Sequence, residues 1–242
     1  MHSQLNGCYS YYMAETTGKE SLTAARTSVA ALYVQTDGAY FGLDGVEPWD
    51  EQRDARLYLG PYPVVAHPPC SRWCQLAPVN EARYGTPVGH DKGCFAAALE
   101  SVERYGGVLE HPAYTLAWHA FDIRRPKRDS WQQCRIGWVT EVSQSAYGCP
   151  ARKRTWLYYV GPEPPAVDWS DPAGEAVIGG GINSGECVGR RKIGKREASA
   201  IPPAFRDLLL SLARGVEPVS SYSVTASDGC RTCHRPWTEC VC

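Results

Sequence analysis

The chain has 242 residues, 43% of them hydrophobic, and a formal net charge of −1 at neutral pH, which suits one α/β domain with a small appendage. That charge excludes a globally basic nucleic-acid binder, so contact with a polyanion must use local patches. No apolar run approaches the roughly 20 residues of a membrane span and no basic-then-apolar leader opens the chain, so a soluble cytoplasmic protein without a membrane partner is expected.

Met1–Gly18 is polar and irregular. Glu20–Ala31 predicts a helix, Leu32–Val34 a first strand, and the Gly-, Asp- and aromatic-rich stretch Thr36–Asp50 a loop. Glu51–Leu57 predicts one or two helical turns ahead of Gly60-Pro61. Val64–Ala66 is a β-branched run that reads as a buried parallel strand, and Pro68-Pro69 forces the chain out of the sheet directly behind it. Asp91–Tyr105 predicts a helix capped by Asp91, with Phe95, Leu99 and Val102 on one face and Gly106-Gly107 beyond its end. Val108–Leu109, Val139–Val142 and Thr155–Val160 predict strands, and Glu163–Asn183 a long loop. Pro202–Arg214 predicts a helix with Phe205, Leu208, Leu209 and Leu212 on one face. The expected organisation is an α/β domain over residues 1–215, a linker over 216–229 and a separate tail over 230–242. The fold class predicted is α/β, a mostly parallel sheet flanked by helices, with right-handed crossovers.

Three stretches carry chemistry. Val64–Cys74, VVAHPPCSRWC, presents Cys70 at the carboxyl end of a strand, where open α/β sheets place their ligands, and a cysteine there is a potential nucleophile. Gly106–Pro112, GGVLEHP, puts Glu110 near the end of a strand. Tyr147–Gly161, YGCPARKRTWLYYVG, is a basic turn feeding a strand. Read singly, each has a plain structural alternative: a buried cysteine after a proline turn, a surface glutamate, a solvated basic turn.

In this order the three stretches resemble the core of the cytosine-C5 DNA methyltransferases, with their Pro-Pro-Cys loop, Glu-Asn-Val strand end and Tyr-Gly…Gln-x-Arg-x-Arg strand. The likeness spans Val64 to Gly161, with a weaker echo over Arg196–Arg214, and is nearest to small methyltransferase-like proteins of phages and prophages. It implies a truncated Rossmann-like methyltransferase core. It further implies Cys70 as nucleophile toward C6 of a flipped pyrimidine, Glu110 as proton donor at ring N3, and Arg152 and Arg154 near base and phosphate, with the inward-pointing residue of Arg152-Lys153-Arg154 left open. The substrate implied is DNA or a pyrimidine nucleotide. Glu-His-Pro stands here for Glu-Asn-Val, and Ala151 for the glutamine. The resemblance also implies S-adenosylmethionine as cofactor, held by Asp37, Gly38, Tyr40 and Asp50. Yet the turn after the first strand keeps only Asp37 and two glycines of the family's Asp-Leu-Phe-x-Gly-x-Gly-Gly, and one βα unit is missing before Cys70. The segment Gly179–Arg196 is glycine-rich and basic toward its end, and too short for a target-recognition domain.

The chain has 11 cysteines, which without a secretion signal points to metal or catalysis rather than disulfides. Cys230, Cys233, His234, Cys240 and Cys242 give close thiolate pairs that suit a zinc knuckle. A zinc deaminase reading of Pro69-Cys70 fails, because Cys74 lies one residue too far on and no His-x-Glu precedes it. The expected function is therefore cytosine C5 modification. Its alternatives are base hypermodification or excision without S-adenosylmethionine, or a non-catalytic DNA- or protein-binding relic.

Overall fold

The computed structural model describes residues 28–178 and 189–217. Its centre is a seven-stranded sheet in the order β2-β1-β3-β4-β7-β6-β5, formed by β1 (Val29–Leu32), β2 (Val46–Trp49), β3 (Val64–Ala66), β4 (Gly107–Pro112), β5 (Gln132–Cys134), β6 (Gly137–Ser143) and β7 (Arg154–Val160). β2, β1, β3 and β4 are mutually parallel, β7 runs against β4, β6 against β7 and β5 against β6. The sheet is therefore mixed, which corrects the mostly parallel expectation. The cause lies in the connections: two residues join β5 to β6, and a 3₁₀ turn, Gln144–Tyr147, starts the short link from β6 to β7. Such links can only return the chain antiparallel, because a parallel crossover needs a dozen or more residues.

Strand alternation sorts the core onto two faces. Ala30, Leu32, Val64, Ala66 and Leu109 meet α2 (Cys94–Tyr105) and α3 (Leu116–Ala120) through Phe95, Leu99, Val102 and Trp118. Val29, Ala31, Val65, Val108 and Leu157 meet α5 (Pro203–Arg214) through Phe205, Leu209 and Leu212. The long helices thus cover the sheet from both sides, as predicted. α1 (Ala77–Tyr84) and α4 (Lys195–Ser199) are peripheral, and β8 (Ala176–Ile178) pairs with β9 (Arg191–Ile193) in a small second sheet. No helix among the described residues is long and apolar enough to cross a membrane.

Other expectations shift. Val29–Ala31 is strand rather than the end of a helix, since these residues are completely buried between β2 and β3. The predicted helical residues before Ser28 lie outside the described residues. So do the glycine-rich run 179–188, most of the 216–229 linker and the whole 230–242 tail. The sequence reads β2 as loop because Pro48 interrupts it. Pro48 is tolerated because β2 is an edge strand, where one side of the backbone needs no ladder bond.

Candidate active site

β1 has β2 on one side and β3 on the other, so the chain switches direction across the sheet between β1 and β3. Open α/β sheets bind ligands at the carboxyl ends of the strands flanking such a point. Cys70 lies in the loop that leaves β3 there. The amide of His67 still donates to Leu32 O, at 3.1 Å, before the prolines end the ladder.

The loop carrying Cys70 is pinned through Trp73. The indole N–H donates to the Asp91 carboxylate at 2.8 Å, and the same oxygen accepts the Phe95 amide at the start of α2 at 2.9 Å. Trp73 O accepts the Leu116 amide at 2.8 Å, and the ring lies edge-on to Phe121 at 5.7 Å. Asp91, expected as a helix cap, thus also anchors the Cys70 turn. Cys70 is half-buried and lines a cavity of about 260 Å³ with Trp73, Cys74, Gln75, Leu76, Pro112, Ala113 and Thr115. This lies below the roughly 300 Å³ of drug-sized sites and suits one small ring.

Glu110 occupies β4 beside β3 and is almost fully buried. It does not line that cavity. Its Oε2 lies 2.9 Å from His67 Nδ1, and His67 Nε2 lies 2.8 Å from the hydroxyl of Tyr40, which is 1% exposed. Its Oε1 accepts from Gln144 Nε2 at 3.3 Å, and the same amide donates to Thr155 Oγ1 at 3.0 Å. Two residues from other parts of the sheet edge, His67 and Gln144, therefore bond one carboxyl group, and Tyr40 and Thr155 bond those two in turn. Burial favours its neutral form, but the hydrogen bond from His67, helped by the charge of Lys153, outweighs this and holds the carboxyl below its usual range. The Cys70 thiol moves the other way. Burial pushes it up, the Glu110 carboxylate pushes it further, and the Cys70 amide and Lys153 pull back only in part. At neutral pH the proton therefore sits on sulfur and the negative charge on Glu110. The adjacent His111 is buried, bonds Thr115 Oγ1 at 2.7 Å through Nδ1, and stacks on Trp118. Burial pushes it down to about 4, so it is neutral.

Among the basic residues of the β7 turn, the two arginines face away from this group. Arg154 donates to Asp171 Oδ2 at 2.8 Å, Arg152 pairs with Asp171 Oδ1 at 3.4 Å, and Arg128 joins Asp171 and also Glu141, the latter at 3.1 Å. Lys153, between them, is the residue whose charge reaches both Glu110 and Cys70. It lies directly before β7, and its carbonyl accepts the Gln144 amide at 2.9 Å. Sequence reasoning missed two contributors, Gln144 and a second basic run, and left a third, Lys153, undecided. Gln144 sits on a 3₁₀ turn with no motif around it. Lys153 is hidden between two arginines. The basic run Arg124-Arg125-Pro126-Lys127-Arg128 was readable as a basic cluster; its four basic residues are exposed, and Arg125 stacks over Tyr114 at 4.8 Å.

The expected cofactor residues behave differently. Asp50 does follow a strand, β2, but it is buried, and its oxygens accept from Thr36 Oγ1 at 2.8 Å and the Gln52 amide at 3.1 Å. Asp37 is exposed. A Cβ on Gly38 would meet Gln35 O at 2.7 Å, so this glycine closes its own turn and is not kept bare for a ligand. Tyr40 is given over to His67. These residues do not form a cradle for S-adenosylmethionine. The zinc ligands Cys230, Cys233, His234, Cys240 and Cys242 lie outside the described residues, and among the described residues no cluster of metal-ligating side chains occurs. Comparison with protein families, curated proteins and solved structures finds no match to the chain.

Proposed function

We propose that this chain activates a pyrimidine base of DNA, most simply cytosine, for substitution at C5. Cys70 is the nucleophile and Glu110 the proton carrier. The observation that carries the reading is the placement of Cys70 just behind β3, with the Glu110 carboxylate on neighbouring β4 reaching the thiol by its charge. With Cys70 protonated and Glu110 ionised, the carboxylate is the group that takes the thiol proton as the reaction begins. The Cys70 sulfur adds to C6 while its proton leaves to Glu110, and the acid so formed gives that proton to ring N3. The S–C6 bond replaces the π bond between C5 and C6, and its electron pair becomes available at C5. Lys153 offsets negative charge as the thiol ionises. After C5 has gained its substituent, its hydrogen leaves as a proton to solvent water, elimination of the Cys70 thiolate restores the C5–C6 double bond, and the N3 proton returns through Glu110 to the thiolate.

The strand order supports a truncated Rossmann-like methyltransferase core, with the base on the β3–β4 side of the switch point. The exposed basic run Arg124–Arg128, joined to the β7 turn through Asp171, supports a phosphate backbone as the anion met there. Because Asp37, Gly38 and Asp50 make no nucleotide cradle, no step is assigned to S-adenosylmethionine. This favours a donor of another class over direct methylation.

Mass spectrometry of nucleosides from the DNA of cells expressing the chain tests this without presuming a donor. A new pyrimidine with the wild type, absent with Cys70→Ala, is expected, and its mass identifies the group added. Identical profiles for the two would overturn the proposal in favour of a binding protein.

A further inference from the structure

Tyr40 and His67 belong to no motif that the proposed chemistry requires, yet Tyr40 is 1% exposed and His67 ties it to the Glu110 carboxyl. His67 bridges two elements through both ring nitrogens, Nδ1 to Glu110 at 2.9 Å and Nε2 to Tyr40 at 2.8 Å. An ionised carboxylate only accepts, so Nδ1 must carry the hydrogen. That leaves Nε2 either accepting from the Tyr40 hydroxyl or, in the imidazolium, donating to it. Among the described residues His67 is the one hydrogen-bond partner of the Tyr40 hydroxyl. An imidazolium would leave the Tyr40 proton buried with no acceptor. The arrangement is satisfied in one way only: Tyr40 donates to Nε2, and Nδ1 donates to Glu110.

We infer that Tyr40 fixes His67 as its Nδ1–H tautomer, and that His67 so fixed holds the Glu110 carboxylate in place, making both of them positioning residues for that carboxylate. The consequence for catalysis rests on the proposed function: Glu110 starts the cycle as a proton acceptor and becomes a donor only with the proton of Cys70. The tautomer itself does not rest on that reading. The other groups facing this chain are Cys70 on the β3 loop, Lys153 at the start of β7, His111 on β4, and Arg206 and Asp207 on α5, whose charges reach Tyr40. Tyr40 is pushed well above its ordinary range, chiefly by burial, so it remains a hydroxyl and a donor.

The test is long-range proton–nitrogen NMR of the whole chain labelled with 15N-histidine, with His67 assigned by its loss in His67→Gln. The expected pattern at neutral pH is a protonated Nδ1 and a bare, accepting Nε2. In Tyr40→Phe, checked for an unchanged fold by its amide spectrum, the Nε2 resonance should move toward the protonated position. An Nε2–H tautomer or an imidazolium in the wild type overturns the inference, and so does a Tyr40→Phe spectrum identical to the wild type. The expected spectra with unaltered DNA nucleosides would leave the tautomer lock standing and refute the base chemistry.

Discussion

Two stretches of the same sheet edge, at the ends of β3–β4 and of β1–β2, are built on different plans. At the first, Glu110 is held by His67 from the β3 exit and by Gln144 from the turn after β6, while Tyr40 reaches in from the loop after β1. At the second, Asp50 is satisfied by Thr36 and by Gln52, two residues away, and Gly38 by Gln35. Polar groups bonded across long separations in sequence, around a buried carboxylate whose charge reaches a cysteine thiol, are the kind of arrangement on which the proposed chemistry rests. Polar groups bonded mainly to near neighbours mark a turn that folds and does no more. The contrast separates the proposed base-activating edge from a structural one, and it falls where the sequence already matched the methyltransferase pattern well at Cys70 and poorly at Asp37–Gly42.

The largest break in that comparison should come from Glu110→Gln. The variant keeps the shape but removes the charge and the proton carrier, and base modification should fall about 10²–10⁴-fold. Nucleoside mass spectrometry reads this, and activity within a fewfold of wild type would remove Glu110 from the chemistry.

Next is acid lability. His111 is neutral at about 4 and above in the folded chain, against an ordinary value near 6.5 in the unfolded one. The unfolded state therefore binds the extra proton, and stability present above about pH 6.5 is lost as pH falls toward 4, by up to about 3 kcal/mol. Glu110, held below the usual carboxylate range, acts in the same direction at lower pH. Urea midpoints measured from pH 7 to 4.5 should fall, and His111→Phe should flatten the slope. A wild-type midpoint independent of pH would contradict the buried, neutral ring.

Lys153→Met should slow modification about tenfold, the effect of roughly 1.4 kcal/mol at the transition state, while Arg152→Met, on the outward face, should cost less. Equal losses would mean that the lysine is not distinct from its neighbours. The smallest effect belongs to the second edge. Asp50→Asn should cost about 1 kcal/mol of stability by weakening one of two hydrogen bonds, and S-adenosylmethionine should raise Tm in neither protein. A saturable rise with the donor would show a cradle at β1–β2 after all.

Legibility in the sequence followed the same division. α2 and α5 were readable because their apolar residues recur at helical spacing, and β3 because a β-branched run ends at two prolines. Cys70 was readable as a residue just behind a strand, and Glu110 as the end of a strand that in fact runs on to Pro112. The reversal of β7 was not, because nothing local distinguishes a strand that pairs parallel from one that returns antiparallel. Their partners were not readable either: Gln144 reaches Glu110 only through the pairing of β6 with β7, and the charge of Lys153 reaches Cys70 and Glu110 from the turn before β7. The orientation of His67, three residues before Cys70, is set by Tyr40 across the sheet edge.

The most direct measurement is the intact mass of the protein after incubation with a single-stranded oligonucleotide carrying 5-azacytosine, whose C6 is open to addition without any donor. The account predicts a covalent adduct on the wild type, mapped to Cys70 and absent in Cys70→Ala. No adduct on the wild type, or one that persists in Cys70→Ala, would contradict it.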